Sequence, residues 1–251
     1  MAHRWISILG CAALLGTLAI PSMGAAQSSV PMDRQALEQI IHDYLIAHPE
    51  VVTESLKAAD RKAKEAEEAE VRAEIVKHED ELLRDAKSPV GGNPAGDVTI
   101  VEFFDYRCPY CKQVEPSLEA LLKEDPRIRV VYKEFPILGP ESLIASRVSL
   151  AALKQSPQKY ARLHTALMNL KGELSPDVIL KTAESVGLDV TKIKADMNGR
   201  DIEALIKRNY DLADALKISG TPAFIIGTAM SPGAVDLATF RKMVADARKS
   251  G

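Results

Sequence analysis

Two cysteines separated by two residues, Cys108-Pro109-Tyr110-Cys111, constrain this chain more than any other stretch. An apolar run, Val98-Thr99-Ile100-Val101-Glu102-Phe103-Phe104, precedes them and reads as a buried strand. The segment from Lys112 to Lys123 reads as a helix. The pair therefore sits at a strand-to-helix turn, with Cys108 near the first helical turn. Free backbone N–H groups and the positive end of the helix dipole favour a thiolate there. Arg107 adds positive charge beside it. Pro109 suits the first turn, where its missing N–H costs nothing. Cys111 lies three residues on, on the same helix face, near enough to close a small disulfide ring. A bond of that kind is made and broken readily, which implies a thiol–disulfide exchange site.

Other chemistries of a Cys-x-x-Cys pair fit less well. Half a zinc site needs two further ligands at suitable spacing. After the first 26 residues the chain offers only His42, His48, His78 and His164, all scattered. A purely structural bridge between residues three apart closes too small a loop to stabilise much. No cofactor and no resident metal is expected. Two adjacent thiolates are soft ligands, so a copper-binding or copper-protection protein using the same thiols stays open as a reading of another class.

The third cysteine, Cys11, falls in an N-terminal segment with the pattern of a signal peptide. Arg4 supplies a positive start, and Trp5 to Ile20 is apolar but short for a membrane span. Pro21 breaks the run, and Gly24-Ala25-Ala26 offers a cleavage site before Gln27. Residues 1–26 are therefore read as a cleaved signal peptide and the protein as exported to the periplasm. An uncleaved anchor, or lipidation at Ile8-Leu9-Gly10-Cys11, is the lesser alternative. The exported chain would keep Cys108 and Cys111 as its only thiols. The full-chain charge is −3, and losing Arg4 makes it one unit more negative. Mild acidity, few aromatics and no basic stripe argue against a nucleic-acid partner.

About 225 residues remain after cleavage, more than one typical domain but hardly two. Residues 27–87 carry no strand signal and read as an N-terminal helical extension. Asp33 can cap a helix with Leu37, Ile40, Ile41, Tyr44 and Leu45 on one stripe. His48-Pro49-Glu50 interrupts it. A second, Ala-, Glu- and Lys-rich helix then runs through Leu56 towards Leu82 and Leu83. A long helix with so thin a stripe gains little stability alone, so a homo-oligomer through residues 33–87 is expected. Residues 88–97, with Pro89, Gly91, Gly92, Pro94 and Gly96, read as a linker. From residue 98 to 251 the order is strand, CxxC helix, strand at 128–132, helical block at about 141–217, strand at 223–226 and helix at 236–248. Pro116 should kink the CxxC helix. That order describes an α/β domain with short central strands.

At this level the chain resembles the DsbA family of thioredoxin-fold proteins, over roughly 97–248. Phe103-Phe104-Asp105-Tyr106-Arg107-Cys108-Pro109-Tyr110-Cys111 is similar to the family's active-site block. Lys133-Glu134-Phe135-Pro136-Ile137-Leu138-Gly139 is similar to the segment after its second strand. Gly220-Thr221-Pro222-Ala223-Phe224 is similar to its cis-proline block. The N-terminal part, with Ala47-His48-Pro49-Glu50, resembles the extension of ScsC-type members, the suppressor-of-copper-sensitivity group.

The resemblance implies an α/β thioredoxin fold with a helical insertion. It implies Cys108 as nucleophile, Cys111 as resolving thiol and the two as the redox disulfide. Pro222 would be a cis-proline, placing Thr221 where its backbone pairs with a client chain. Glu102 would be a buried acid that relays a proton for Cys111; the alternative is an exposed strand carboxylate. His164 reads as structural. Strong oxidants of the family carry a histidine inside CxxC, whereas Pro109-Tyr110 stabilises the thiolate less. Thr221 before the proline also resembles isomerase-type members. The expected function is therefore a thiol:disulfide oxidoreductase of exported proteins, an isomerase or mixed enzyme of the ScsC type. A monomeric DsbA-like oxidase is the runner-up. Its partners would be exported clients bearing thiols or disulfides and a membrane redox protein that resets the cysteines.

Overall fold

A computed structural model describes residues 33–250; the expected signal peptide and Cys11 lie outside them. The chain divides into two compact units, one ending at Ala58 and one from Ala59 onward. No helix of the described residues is long and apolar enough to cross a membrane.

In the first unit, α1 (Arg34–Ala47) starts at Asp33, whose side chain accepts from the Gln35 N–H at 3.2 Å. That satisfies one of the orphan donors of the first turn. The helix stops at His48, and α2 (Pro49–Lys77) begins with proline at its first position. Of the apolar stripe read from the sequence, Leu37, Ile40, Ile41 and Tyr44 are exposed and Leu45 is half-buried, and Ile46, Val51, Val52 and Leu56 are exposed as well.

The second unit opens with the remainder of α2 and α3 (Glu79–Leu83). Then come β1 (Val90–Gly92), β2 (Val98–Phe104), α4 (Pro109–Glu124) and β3 (Ile128–Glu134). The helical insertion is α5 (Pro140–Gln155), α6 (Pro157–Met168), α7 (Pro176–Ser185), α8 (Val190–Asp196) and α9 (Arg200–Ala215). Prolines open α5, α6 and α7, and the Ser156 and Ser175 side chains cap α6 and α7. β4 (Ala223–Ile226), β5 (Ala229–Pro232) and α10 (Leu237–Ser250) complete the chain.

The sheet order is β1-β3-β2-β4-β5. β2 and β3 run parallel, and the other neighbours are antiparallel. Side chains alternate across β2, so its two faces enter two cores. Ile100 and Phe104 pack with α4, α10 and the insertion. Val101 and Phe103 pack with Leu212 and Leu216 of α9 and with Val71, Ile75 and Leu82. Glu102, on the parity of Ile100 and Phe104, is thereby carried into the first interior.

Two readings of the N-terminal half need correction. Residues 88–97 are not a free linker, because β1 lies within them and pairs with β3, Val90 opposite Val131. Its glycines admit close approach rather than break structure. A Cβ on Gly91 would sit 2.8 Å from the Tyr132 ring, and one on Gly92, at φ +62°, 2.5 Å from the Ile128 carbonyl. Nor do residues 27–87 form one separate extension. Val71, Ile75 and Leu82 are buried in the second core, and the buried Lys133 Nζ bonds the Glu81 carbonyl and Ser88 Oγ at 2.6 and 2.9 Å. α4 runs as one helix from Pro109 to Glu124, with Pro116 inside it.

Candidate active site

Cys108 is the N-cap of α4, at φ −69° and ψ 117°, with Pro109 in the first turn. An N-cap side chain faces the free N–H groups of the helix start, and here that side chain is a sulfur. The Cys111 N–H donates to Cys108 Sγ at 3.4 Å, and the Cys108 thiol reaches the Thr221 carbonyl at 3.1 Å. The peptide bond between Thr221 and Pro222 is cis. Both cysteines are free thiols. Cys108 is 3% exposed and Cys111 is sealed, while Tyr110, 60% exposed, stands at the surface beside them.

The two thiols are driven apart in acidity. The Cys108 thiol is pulled down to about 6, chiefly by the hydrogen bond from Cys111, with the Cys111 and Tyr110 backbone N–H groups adding to it against the cost of burial. Burial pushes the Cys111 thiol far up, reinforced by its hydrogen bond to Cys108 and the charge of Glu102. One sulfur is a ready thiolate near pH 7 and the other a held proton.

Arg107 does not serve as expected. Its guanidinium is held by the Leu138 carbonyl at 2.6 Å and Glu141 at 2.9 Å. It braces the Ile137–Glu141 turn, and the helix start and Cys111 supply the donors to Cys108. Asp105 closes the same brace, accepting from the Arg107 and Leu138 N–H groups and from Ser142 Oγ.

Glu102 is fully buried, and neither carboxylate oxygen has a hydrogen-bond partner among the described residues. The exposed-strand alternative is therefore wrong. Burial raises its pKa well above the ordinary carboxylate range, followed by repulsion from Glu115, Cys108 and Glu134. A protonated carboxyl is what such a place favours, and one that ionises there is a strong base. The fold thus assembles Cys108, Pro109, Tyr110, Cys111, Glu102, Thr221 and Pro222 around one sulfur, from β2, α4 and the loop before β4.

Sequence reasoning passed over Glu115 and read His164 as structural. Glu115 lies one helical turn after Cys111 and His164 comes from the insertion; both are buried, and their side chains approach to 3.8 Å. Glu134, also buried, accepts from Tyr106 and Tyr160 at 3.1 Å each and from Ser146 at 2.7 Å. Burial lifts its carboxyl to about 8. The spacing of Glu115 from Cys111, i to i+4, was the one available signal.

Comparison with known proteins agrees with this geometry. Residues 33–66 match the copper resistance protein ScsC N-terminal domain. The thiol:disulfide interchange protein DsbA of Bordetella parapertussis is 31% identical over 143 residues, covering 55% of this chain and 68% of that protein. A Salinispora tropica protein named Na(+)/H(+) antiporter NhaA 3 is 32% identical over 139 residues, and this chain spans only 21% of its length. Among solved structures, a thioredoxin-like oxidoreductase from Silicibacter pomeroyi superposes with a TM-score of 0.66 at 42% identity, over 68% of this chain and 98% of that one. A linker-deletion mutant of Proteus mirabilis ScsC superposes with 0.69 at 28% identity, over 89% and 100%. Residues 99–245, which hold the CxxC helix, the buried acid and the cis-proline loop, match the DSBA-like thioredoxin domain, and the chain belongs to that family.

Proposed function

We propose that this protein is a periplasmic thiol:disulfide oxidoreductase acting on exported proteins, with isomerase or mixed activity of the ScsC type. The observation that carries the reading is the division of labour at the cysteines: an acidic Cys108 at the helix start and a buried, proton-bearing Cys111 beside it.

In the reductive direction, the Cys108 thiolate attacks one sulfur of a client disulfide. The client's S–S bond breaks, one client sulfur leaves as thiolate, and the other stays bonded to Cys108. Cys111 then gives up its proton, to Glu102 where that carboxyl has first ionised, and attacks Cys108 Sγ. The mixed disulfide breaks, the second client thiolate departs, and Cys108 and Cys111 become the disulfide. Run backwards, the same steps oxidise a client dithiol. Isomerisation uses the first step alone, followed by attack of another client thiol on the mixed disulfide. The Thr221 carbonyl lies beside Cys108 Sγ, and the backbone there would pair with the client chain. A membrane redox protein would return the cysteines to their working state.

Acidity supports this direction. Active-site cysteines of thioredoxin-like proteins span roughly 3.5 to 7, and the lower the value, the more oxidising the disulfide. Cys108 at about 6 lies towards the less oxidising end, in keeping with tyrosine in place of histidine. The exposed stripe of α1 and the start of α2 supports an oligomer, which would present clients with more than one site.

Two assays on one preparation test the reading: refolding of scrambled ribonuclease and oxidation of reduced ribonuclease. Isomerase or mixed activity predicts recovery in the first that is lost in Cys108→Ser. Activity confined to the second assay would favour the monomeric oxidase. Inactivity in both, with tight Cu(I) binding lost in Cys108→Ser, would favour copper handling.

A further inference from the structure

Thr221 and Pro222 border more than the Cys108 sulfur. On their other side is a recess of about 210 Å³, which runs along the chain from Lys217 to Ala223 and is closed by Met230 and Pro232 of β5. Met230 and Pro232 also border a larger groove of about 530 Å³, whose opposite wall is α2, with Lys64, Glu67, Val71 and Arg72 turned to it. The two hollows share those two residues, so they adjoin. Met230 packs with Ile218 and Val71 on the second core, whereas the buried residues of α4 belong to the first. The groove therefore opens on the sheet face opposite the CxxC helix.

The strand on its near side has a free edge. The parity of the ladder is fixed by Gly233, whose N–H donates to the Pro222 carbonyl at 2.8 Å. Hydrogen-bonded pairs alternate with non-bonded ones along antiparallel strands, so Phe224–Ser231 is a bonded pair and Ile225–Met230 is not. The Met230 N–H and carbonyl are thus turned away from β4, and β5 is the last strand on that side. Pro232, next on the same parity, has a carbonyl but no N–H to offer, which blunts the edge against a whole second sheet. What stays open is a short edge at Met230, room for one extended segment to pair.

The helix on the far side is held in register with the exchange site. α9 ends at Leu216, and the Ile218 N–H turns back to the Ala213 carbonyl at 2.8 Å. Lys217, between them, reaches Glu70 of α2 at 2.7 Å. Both side chains of that pair are about half-exposed or more, so the contact marks adjacency more than strength. The firmer hold is the burial of Val71 and Ile75 against Leu216 and Ile218. α2 is thereby fixed beside the segment that leads to Thr221. Its wall carries charges of both signs, Lys64 and Arg72 with Glu67, over an apolar floor of Val71, Met230 and Pro232. Such a lining selects for no net charge and suits backbone pairing and small apolar side chains.

We propose that the groove between α2 and β5 receives an extended, unfolded stretch of the client chain, continuous with the residues beside the reacting cysteine. This rests on the exchange reading above. The occupant follows from continuity with the Thr221–Pro222 segment and from the single open backbone position at Met230. A folded surface would find no such edge to pair with, whereas an unfolded client brings both its disulfide and a free backbone.

The probe is a peptide of about twelve residues with a central cysteine, which extended spans roughly 40 Å and carries glutathione on its sulfur. In full-length Cys111→Ser, the Cys108 thiolate attacks the peptide sulfur, glutathione leaves as thiolate, and the peptide stays joined. Amide hydrogen exchange at Met230, resolved by NMR, should then slow by about ten-fold or more, and joining glutathione alone should not slow it. In the protein with both cysteines, turned over with dithiothreitol, Glu68→Trp places bulk at the exposed mouth of the groove. It should raise KM for the peptide by roughly ten-fold relative to KM for glutathione disulfide, with kcat for the peptide little changed. A Met230 amide that exchanges equally with and without the peptide, or is protected as well by glutathione, would overturn the inference. So would an unmoved peptide KM in Glu68→Trp; a change of oligomeric state by light scattering in that case would give the groove to a second copy of this chain. A parent protein that turns over neither peptide nor glutathione disulfide would instead sink the exchange reading itself.

Discussion

Cys108 and Cys111 lie one helical turn apart in sequence and are pushed in opposite directions in acidity, and two predictions follow at this level. The first concerns stability. A thiol whose folded pKa lies below its unfolded value contributes stability that is complete at high pH and is lost as pH falls through the folded value. For Cys108 the window runs from its ordinary value of 9.0 down to about 6. The raised Cys111 does not titrate in the folded state across that window, and its unfolded thiol ionises only near the upper edge. The oxidised protein lacks both groups. Urea unfolding of the two forms should therefore show the reduced form gaining on the oxidised one as pH rises from 6 to 9. An unchanging difference would contradict the assigned acidity. The second concerns Pro222. Pro222→Ala removes the restricted turn beside Cys108 while leaving the nucleophile in place. It should keep the fold and accumulate mixed disulfides with clients, seen as thiol-sensitive bands on non-reducing gels. Exchange at the parent rate with nothing trapped would deny the loop its role in docking and release.

At the scale of elements, β2, α4, β3 and β4 were legible because each declares itself locally, by an apolar run or by a proline and cysteine at a helix start. β1 was not. Val90-Gly91-Gly92 looks like punctuation, and only the Tyr132 ring and Ile128 carbonyl show why side chains are excluded there. β5, Ala229–Pro232, ends in a proline and pairs only with β4, so alternation alone does not announce it. Val71, Ile75 and Leu82 were hidden by the charged helix around them, since three apolar residues among many lysines and glutamates make too weak a stripe. At the site, the CxxC pair, Glu102, Thr221 and Pro222 were visible in sequence blocks. The Glu115–His164 approach was not, because it joins residues 49 apart through packing of α6 on α4. Leu82 supplies a test at this scale. It is 1% exposed in the second core, so Leu82→Ala should cost about 2–5 kcal/mol by urea unfolding. A loss under about 0.5 kcal/mol, the range of ordinary surface substitutions, would mean that α3 is not part of the folded core.

Across the whole molecule, the division at Ala58 moves the boundary at which function should separate from assembly. A protein beginning at Ala59 keeps Val71, Ile75 and Leu82 over the second face of the sheet, whereas one beginning at Ser88 loses all three. Light scattering should find the protein from Gln27 to be an oligomer and the protein from Ala59 a folded monomer, with the Ser88 version markedly less stable. Scrambled-ribonuclease recovery should fall with loss of residues 27–58, while simple dithiol oxidation survives. A monomeric longer form would remove the oligomer and favour the oxidase reading. The exchange chemistry itself depends on one property, an ionised Cys108 beside a protonated Cys111. Brief iodoacetamide exposure of the reduced protein at a series of pH values, read by mass spectrometry, measures it directly. Labelling of Cys108 alone, rising with a midpoint near pH 6, is the predicted result. A midpoint near 9, or earlier labelling of Cys111, would contradict the account.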